Sequence, residues 1–198
     1  MVGVRAKDHD DKRQLILDRS AELFARQGFH RTSIAEIAKA CHSSSKAWIY
    51  HYFPNKETVL FTLLHEFLEL AASRVRAAVD KHSDARERLH AFVLECLRIY
   101  AEYRINHAVL FSEMNLLPDE QRSEIRTLER AYAQVLRELI LAVNPAINLR
   151  KHQTTALTMI AFGSINWTYT WFDAKGPFSL EDVAELTTKL LMNGLEGI

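Results

Sequence analysis

Apolar residues recur at intervals of three and four along almost the whole chain, and no stretch alternates between apolar and polar residues as a half-buried strand does. Only six glycines and four prolines are spread over the 198 residues. These two residue types are the ones that most readily interrupt a helix. The sequence therefore predicts an all-α fold of about nine helices joined by short connections.

Capping residues mark where the predicted helices begin and end. Gly28 follows a first helix over about 11–27, at the place of a left-handed C-cap residue. Ser33 and Glu36 have the spacing of a capping box, which starts a second helix. Asn55 is placed to cap a long fourth helix after a short third one. The helices from the fourth onward are predicted at about 56–79, 84–104, 107–116, 119–143, 149–173 and 180–194.

Charge is unevenly distributed although the formal net charge is zero. Residues 1–60 contain ten Lys or Arg and seven Asp or Glu, a net of +3, so the remainder carries −3. A basic N-terminal part is consistent with binding to nucleic acid.

Several classes of protein are disfavoured by the same sequence. Cys41 and Cys96 are too few and too far apart for a metal cluster or a disulfide framework, so we predict no metal and no cofactor. The most apolar stretch, 157–172, is interrupted by polar residues and is too short to span a membrane. Residues 5–13 are too charged for a secretory signal, so a cytoplasmic protein without a membrane partner is expected. No catalytic motif is visible, and we predict that the chain is not an enzyme.

Two short helices joined by a serine-rich turn, after a longer first helix, are typical of a helix-turn-helix. In the third helix, Ile49 and Phe53 are four residues apart and are predicted to face the core. An outer face then carries a cation, a small residue, a phenol and an imidazole, which in a DNA reader meet base edges and phosphates. These residues are Lys46, Ala47, Tyr50 and His51. A pair of packing helices with a solvated outer face gives the same pattern, and the spacing alone leaves that alternative open.

The segment from Arg13 to Leu64 resembles the N-terminal domain of the TetR family of repressors. The matching residues are Ala21-Glu22-Leu23-Phe24, Gln27-Gly28-Phe29, Thr32-Ser33-Ile34, Ile37-Ala38, Lys46, Ile49-Tyr50-His51-Tyr52-Phe53 and Asn55-Lys56-Glu57. The resemblance implies a ligand-responsive repressor that binds double-stranded operator DNA as a homodimer. It also implies a helix-turn-helix domain over 1–55 and a helical effector-binding and dimerisation domain over 56–198.

The resemblance and the outer face together predict the DNA contacts. Tyr50 and His51 are expected on the operator, and Lys56 near a phosphate. Hydroxyls at the starts of the second and third helices are expected near further phosphates, because helix N-termini favour anions. The full predicted set is Thr32, Ser33, Ser43, Ser44, Ser45, Lys46, Ala47, Trp48, Tyr50, His51 and Lys56.

The turn between the second and third helices departs from the family pattern. It contains no glycine and carries one residue more than is usual. His42 or Ser43 is therefore expected to adopt the turn without the conformational freedom of glycine.

Aromatic residues are frequent in the C-terminal part, where the resemblance implies an effector cavity. The predicted effector residues are Tyr100, Tyr103, Arg104, His107, Phe111, Met114, Phe162, Asn166, Trp167 and Trp171. Arg98 and Glu113 are further candidates for polar groups of this cavity. Each residue is also compatible with ordinary core or surface packing.

Small residues in the penultimate helix and an apolar stripe on the last one indicate a helix–helix interface. In the family, the last two helices of each subunit form a four-helix dimer interface. The predicted interface residues are Leu157, Ala161, Ser164, Thr168, Val183, Leu186, Thr187 and Leu190. Packing within one subunit is the alternative.

The run Asn166–Phe172, followed by Gly176-Pro177, resembles a subgroup of these repressors. That subgroup controls the catabolism of fatty acids, aromatic acids or steroids and responds to acyl- or aryl-coenzyme A thioesters. A regulator of drugs or other small molecules, and a helical dimeric module without DNA activity, remain alternatives.

Overall fold

A computed structural model describes residues 2–145 and 149–196 and confirms the all-helical prediction. The described residues form ten α-helices and one 3-10 turn, and none of them is in a strand. The helices are α1 (Val2–Gln27), α2 (Ile34–Ala40), α3 (Lys46–Tyr52), α4 (Lys56–Val79), α5 (Ala85–Glu102), α6 (Arg104–Glu113), α7 (Asp119–Val143), α8 (Lys151–Asn166), α9 (Thr168–Trp171) and α10 (Leu180–Glu196), with the 3-10 turn at Met114–Leu116.

The predicted caps are confirmed. Gly28 has a φ of +84° after the last residue of α1. Ser33 and Glu36 form the reciprocal capping box at the start of α2. The Asn55 Oδ1 accepts a hydrogen bond from the Thr58 amide at 2.7 Å and so caps α4. These signals act within four residues, which is why the sequence alone locates them.

Two predicted boundaries are wrong. The first helix begins at Val2 rather than near residue 11. The single helix predicted over 149–173 is interrupted at Trp167, which separates α8 from α9. At this break the Thr168 hydroxyl donates to the Ile165 carbonyl at 2.7 Å. A run of threonines and aromatic residues has only modest helix propensity, and such side-chain bonds to the backbone compete with helical ones.

Contacts divide the chain into two compact units. The first unit comprises residues 1–67 and 105–126, and the second comprises 68–104 and 127–198. Helix α4 therefore contributes its first half to the first unit and its second half to the other. These units differ from the domains predicted at 1–55 and 56–198, and that boundary stays a prediction.

The core of the first unit is built around α1, α2 and α3, which we call the head. Its fully buried side chains include Ile16, Phe24, Ile37 and Ile49. The ring of Phe24 lies 5.3 Å from that of Phe29, which folds back on the end of α1 as its position after Gly28 predicts. This packing fixes which side of α3 faces outward.

The core of the second unit is centred on α5, whose buried face includes Leu89, Phe92 and Cys96. An ion-pair network ties this helix to the second half of α4: the Arg74 Nε lies 2.7 Å from Glu95 and its Nη1 2.5 Å from Glu102. The hydrogen bond from Arg74 lowers the pKa of the Glu102 carboxyl below its ordinary value.

Among the described residues, no helix is both long enough and apolar enough to cross a membrane.

Candidate functional site

The outer face of α3 is the predicted DNA-reading surface, and the structure confirms which residues face outward. Ile49 and Phe53 are 0% and 2% exposed and anchor the helix in the head. Lys46, Ala47, Tyr50 and His51 are all exposed, with 52% of Tyr50 accessible. The face can therefore offer hydrogen-bond donors, an aromatic ring and a positive charge to an approaching anionic surface.

An aromatic cluster borders this face. Trp48 and Tyr52 are half-buried, with their rings 5.6 Å apart. His9, in the part of α1 that the sequence prediction omitted, lies 4.7 Å from the Tyr52 ring and 6.2 Å from that of His51. The sequence signal for His9 was weak because residues 5–13 are polar throughout and lack the apolar periodicity of an amphipathic helix.

The turn between α2 and α3 takes its left-handed residue at His42, which has a φ of 58°. This confirms that a residue other than glycine adopts that conformation. The Ser43 amide then donates to the Ala38 carbonyl at 2.9 Å, and the Ser45 amide to the Ser43 Oγ at 3.2 Å. Ser44 and Ser45 are exposed and Ser43 is half-buried, so the turn presents hydroxyls beside the start of α3.

Two residues of the predicted DNA-contact set, Thr32 and Lys56, make hydrogen bonds within the protein. Thr32 is 1% exposed, and its hydroxyl donates to the Gly28 carbonyl at 2.9 Å. The Lys56 Nζ donates to the carbonyls of Phe29 and Thr32, both at 2.7 Å, and lies 4.2 Å from the centre of the Phe29 ring. Lys56 therefore stabilises the connection between α1 and α2, which comprises residues 28–33. Ser33 remains exposed, although its hydroxyl is engaged in the capping box.

Glu113 also differs from its prediction as a polar group of an effector cavity. It is 9% exposed, and its Oε2 accepts a hydrogen bond from the Phe29 amide at 3.2 Å. The carboxylate at the end of α6 thus holds the same connection that Lys56 holds through carbonyls. A contact between residues 84 positions apart leaves no local pattern, so the sequence could not reveal it.

The predicted effector residues are divided between the two units. His107, Phe111 and Met114 belong to the first unit. His107 is 2% exposed, with its ring 4.9 Å from that of Phe111 and 6.2 Å from that of Phe67. Phe111 is 50% exposed, and Met114 is half-buried in the 3-10 turn.

In the second unit a cavity of about 80 Å³ lies between α5 and α9. We call it the α5–α9 cavity. Two predicted effector residues, Tyr100 and Arg104, line it. The other lining residues are Leu97, Ala101, Thr168, Tyr169, Phe172, Ala174 and Leu180. The cavity combines apolar walls with two phenol groups and an exposed guanidinium, which suits an organic ligand that carries a polar or anionic group.

A buried polar cluster adjoins this cavity. The Cys96 Sγ lies 2.9 Å from the Tyr132 Oη. Burial raises the pKa of the Cys96 thiol to about 12 and raises the pKa of Tyr100 and of Tyr132 well above the ordinary phenol value. All three groups are therefore neutral near pH 7 and act as hydrogen-bonding groups rather than as nucleophiles.

The remaining predicted effector residues do not line the α5–α9 cavity. Tyr103 is half-buried. Phe162 packs on Tyr132, with 5.6 Å between ring centres. The Asn166 Oδ1 is buried without a hydrogen-bond partner among the described side chains. Trp167 and Trp171 are 66% and 54% exposed, which is unusual for large apolar side chains of an enclosed site.

The predicted dimer residues fall into two groups. Ala161, Thr168 and Val183 are buried within the subunit. Leu186 and Leu190 are 61% and 69% exposed, Ser164 is exposed, and Leu157 and Thr187 are half-buried. Leu157, Ala161, Ser164 and Leu190 also line a groove of about 200 Å³ between α8 and α10, together with Ile140, Ile160, Leu191 and Gly194. We call it the α8–α10 groove.

Two family profiles match the chain. The profile described as bacterial regulatory proteins, tetR family, matches residues 16–63, and that described as tetracyclin repressor-like, C-terminal domain, matches residues 82–195. The first covers most of the head, and the second covers more than half of the chain.

Similar proteins include regulators of known structure. A TetR-family transcriptional regulator from Bordetella parapertussis 12822 is 35% identical, with a TM-score of 0.87 over 94% of this chain and 96% of that one. AibR, solved in complex with isovaleryl coenzyme A and operator DNA, is 26% identical, with a TM-score of 0.79 over 91% of this chain and 98% of that one. The fatty acid metabolism regulator protein of Bacillus subtilis (strain 168) is 23% identical over 96% of this chain and 98% of that protein.

Proposed function

Because the chain belongs to the TetR family of transcriptional regulators, we propose that it is a repressor that leaves its operator when a small molecule binds. The observation that carries the proposal is the outer face of α3. Ile49 and Phe53 hold the helix in the head, and Tyr50 and His51 are left exposed beside Lys46. A short helix with such a face fits the major groove of DNA, where phenol, imidazole and ammonium groups reach base edges and phosphates. The proposal places the protein in the cytoplasm, in contact with DNA and without catalytic activity of its own.

We propose further that the operator is bound by a homodimer formed through α8 and α10. Ile160, Leu186 and Leu190 are each more than half exposed, and such apolar side chains on neighbouring helices mark an interaction surface. A two-fold dimer presents two recognition helices, which read half-sites one helical turn, or a multiple of it, apart.

The proposed effector is a short-chain acyl-coenzyme A thioester. AibR, which shares 26% identity, was solved with isovaleryl coenzyme A, and this supports the ligand class. The α5–α9 cavity of about 80 Å³ is well below the roughly 300–1,000 Å³ of sites that enclose a whole ligand. The cavity suits the short acyl group alone. The coenzyme would then lie outside it near the exposed Arg104, whose guanidinium can pair with phosphate.

A second candidate is a regulator that responds to a drug or another uncharged molecule. The aromatic lining of the α5–α9 cavity, with Tyr100, Tyr169 and Phe172, supports it, because such rings bind many flat apolar ligands. A thermal-shift panel separates the two candidates, because a ligand that binds only the native state raises the melting temperature. Isovaleryl-coenzyme A should raise it while free coenzyme A and hydrophobic drugs leave it unchanged.

The function as a whole is tested with the full chain and a fluorescent DNA fragment from upstream of its own gene. We expect the protein to raise the anisotropy of this DNA, and the complex to weaken steeply with salt as phosphate contacts require. Addition of isovaleryl-coenzyme A should then return the anisotropy to that of free DNA. A complex that persists at saturating thioester would overturn the effector class, and failure to bind the fragment in preference to scrambled DNA would overturn the repressor.

A further inference from the structure

Helix α1 extends well beyond the core of the head. The helix begins at Val2, whereas its first buried residue among the described side chains is Ile16, so about four turns precede the core. Residues 7–11 of this segment are exposed. The segment reaches the second half of α3, because the ring of His9 lies 4.7 Å from that of Tyr52 and 6.2 Å from that of His51.

The basic side chains next to His9 on α1 are paired within the protein. Lys12 and Arg13 follow His9 by three and four residues, so all three lie on one side of the helix. The Lys12 Nζ donates to the Asp8 carboxylate at 2.6 Å. Arg13 forms an ion pair with Glu66 on α4. The charges of these two residues are therefore largely balanced, and His9 is the neighbour on this side that can still gain a charge.

The His9 imidazole is held in position and remains open to solvent. Its ring packs at an angle of 42° on that of Tyr52, while half of the His9 side chain is exposed. The His9 Nδ1 lies 3.5 Å from the Oδ1 of Asp10, whose side chain is 80% exposed. A pair this open to water contributes little, so it does not prevent the ring from donating a hydrogen bond to an approaching anion.

The distance between His9 and His51 matches the half-width of the major groove. The groove is about 12 Å wide, so phosphates run roughly 6 Å to either side of a helix that lies along its middle. His51 is on the face of α3 that is proposed to enter the groove, and the His9 ring is 6.2 Å from it on a neighbouring helix. An imidazole at that distance meets the phosphate backbone rather than the base edges.

We propose that His9 binds a phosphate of the operator backbone, and that the protein takes up a proton at His9 as it does so. This inference rests on the proposed DNA-binding function and adds a contact outside the helix-turn-helix. Histidine is the side chain whose charge ordinarily changes between about pH 5 and pH 8. A charged imidazole forms a stronger hydrogen bond to phosphate than a neutral one does. A charge on His51 opposes a charge on His9 in the free protein, whereas a phosphate favours it, so binding and protonation support each other.

The other ionisable groups around His9 do not supply the same effect. They are Asp8, Asp10, Lys12 and Arg13 on α1, His51 and Tyr52 on α3, and Glu66 on α4. The carboxylates repel a phosphate, the two cations are paired, and phenol side chains are neutral in this pH range. His51 is common to the parent and to every variant at position 9. A pH dependence that changes with residue 9 therefore reports the imidazole of His9.

Two substitutions separate a charge at position 9 from packing. His9→Phe keeps an aromatic ring against Tyr52 without a charge, and His9→Arg carries a permanent charge. Anisotropy titrations use the full chain and a scrambled fluorescent duplex, because a phosphate contact does not depend on sequence. Between about pH 8 and about pH 6, the affinity of the parent should rise roughly tenfold more than that of His9→Phe. His9→Arg should bind more tightly than the parent at pH 8 and show the weaker pH dependence of His9→Phe.

Calorimetry measures the proton directly. Titrations at pH 7 in buffers of different ionisation enthalpy give the number of protons taken up on binding. The parent should take up roughly half a proton per subunit more than His9→Phe, as expected for a group whose proton affinity rises about tenfold around this pH. His82→Gln removes an imidazole of the second unit that pairs with Glu87, and it should keep the uptake of the parent.

The outcomes separate the inference from the proposed function. A full chain that binds neither operator nor scrambled DNA overturns both. Equal pH dependence or equal proton uptake in the parent and His9→Phe overturns the inference alone and leaves the repressor in place. A His9→Phe variant that binds like the parent while His9→Arg binds more weakly assigns His9 to packing and also overturns it. Because His9 is half exposed, the variants should keep the melting temperature of the parent, and His9→Gln takes the place of His9→Phe where that variant melts earlier.

Discussion

The exposed helices of the head and of the second unit have opposite chemistry. Helix α3 exposes Lys46, Tyr50 and His51, which can pair with phosphates and base edges. Helices α8 and α10 expose Ile160 and Leu190, whose apolar side chains favour contact with another apolar surface. Both regions are helical and both have an apolar core, so neither the fold nor the core identifies the partner. The exposed side chains differ between the two regions, and this difference supports our proposals that the head binds DNA and that α8 and α10 meet a second subunit.

The largest effect is expected where a charge is placed in the apolar surface. Ile160→Asp should weaken the dimer more than about 100-fold, because an unpaired carboxylate buried in an interface costs roughly 3–5 kcal/mol. Sedimentation velocity over a concentration series measures the dissociation constant. Ile160→Leu keeps the surface apolar and should leave the dimer intact. Equal dimer dissociation constants for the two variants would mean that Ile160 does not lie in the dimer interface, and would contradict the proposed role of α8.

The stability of the head should depend on the buried hydrogen bond between Glu113 and Phe29. Glu113→Ala leaves the Phe29 amide without its acceptor, which costs about 1–3 kcal/mol when the amide stays buried. Hydrogen exchange at Phe29 should accelerate accordingly, and urea unfolding should show the loss of stability. Glu113→Gln retains an acceptor oxygen and should restore most of the protection. Unchanged exchange in the alanine variant would mean that α6 does not hold the α1–α2 connection.

The structure of the head could be predicted from the sequence in part. Gly28, Ser33 and Asn55 act on neighbouring residues, so their caps follow from spacing alone. The inward positions of Ile49 and Phe53 follow from the helical period. The roles of Lys56 and Glu113 do not, because each depends on where Phe29 lies in three dimensions. A lysine at the start of a helix resembles a phosphate ligand until its ammonium group is found on two carbonyls.

The second unit was harder to predict from its sequence. Aromatic residues at helical spacing are typical both of a core and of a ligand site, and the period could not separate Tyr100, which lines the cavity, from Trp171, which is exposed. The break at Trp167 interrupts an otherwise continuous helical pattern, and the Thr168 hydroxyl bonds to the Ile165 carbonyl there. Since helical spacing does not show which side of α9 faces the cavity, the site could be predicted only as a region.

A smaller effect is expected for Lys46, and it shows whether this lysine contacts a phosphate or a base. Lys46→Ala should weaken binding to every DNA by a similar factor and reduce the slope of log affinity against log salt by about 1, as loss of one phosphate contact does. Anisotropy titrations at several salt concentrations on operator and scrambled fragments give both quantities. Lys39→Ala on α2, an exposed lysine outside the predicted set, provides the control. A loss confined to the operator would reassign Lys46 to base recognition.

The smallest effect concerns pH and the second unit. Burial raises the pKa of Cys96 from its ordinary value of 9.0 to about 12. Because the pKa is raised in the folded state, the thiol of the unfolded chain ionises first as the pH rises. The contribution of the neutral thiol to the free energy of unfolding is therefore complete below pH 9 and is lost between pH 9 and pH 12. Between about pH 8 and about pH 10, the free energy of unfolding of the parent should fall by roughly 1 kcal/mol more than that of Cys96→Ala. Identical pH dependence would mean that the thiol is accessible in the folded state.

The most direct measurement compares the parent with a double variant that carries both Tyr50→Ala and His51→Ala. For each protein we would measure the affinity for operator DNA, the affinity for scrambled DNA and the dissociation constant of the dimer. We expect the double variant to keep its dimer and its salt-dependent affinity for scrambled DNA. It should lose the preference of the parent for the operator, since each base contact contributes about 1–3 kcal/mol of discrimination. A double variant that still prefers the operator by the same factor as the parent would contradict the assignment of sequence recognition to the outer face of α3.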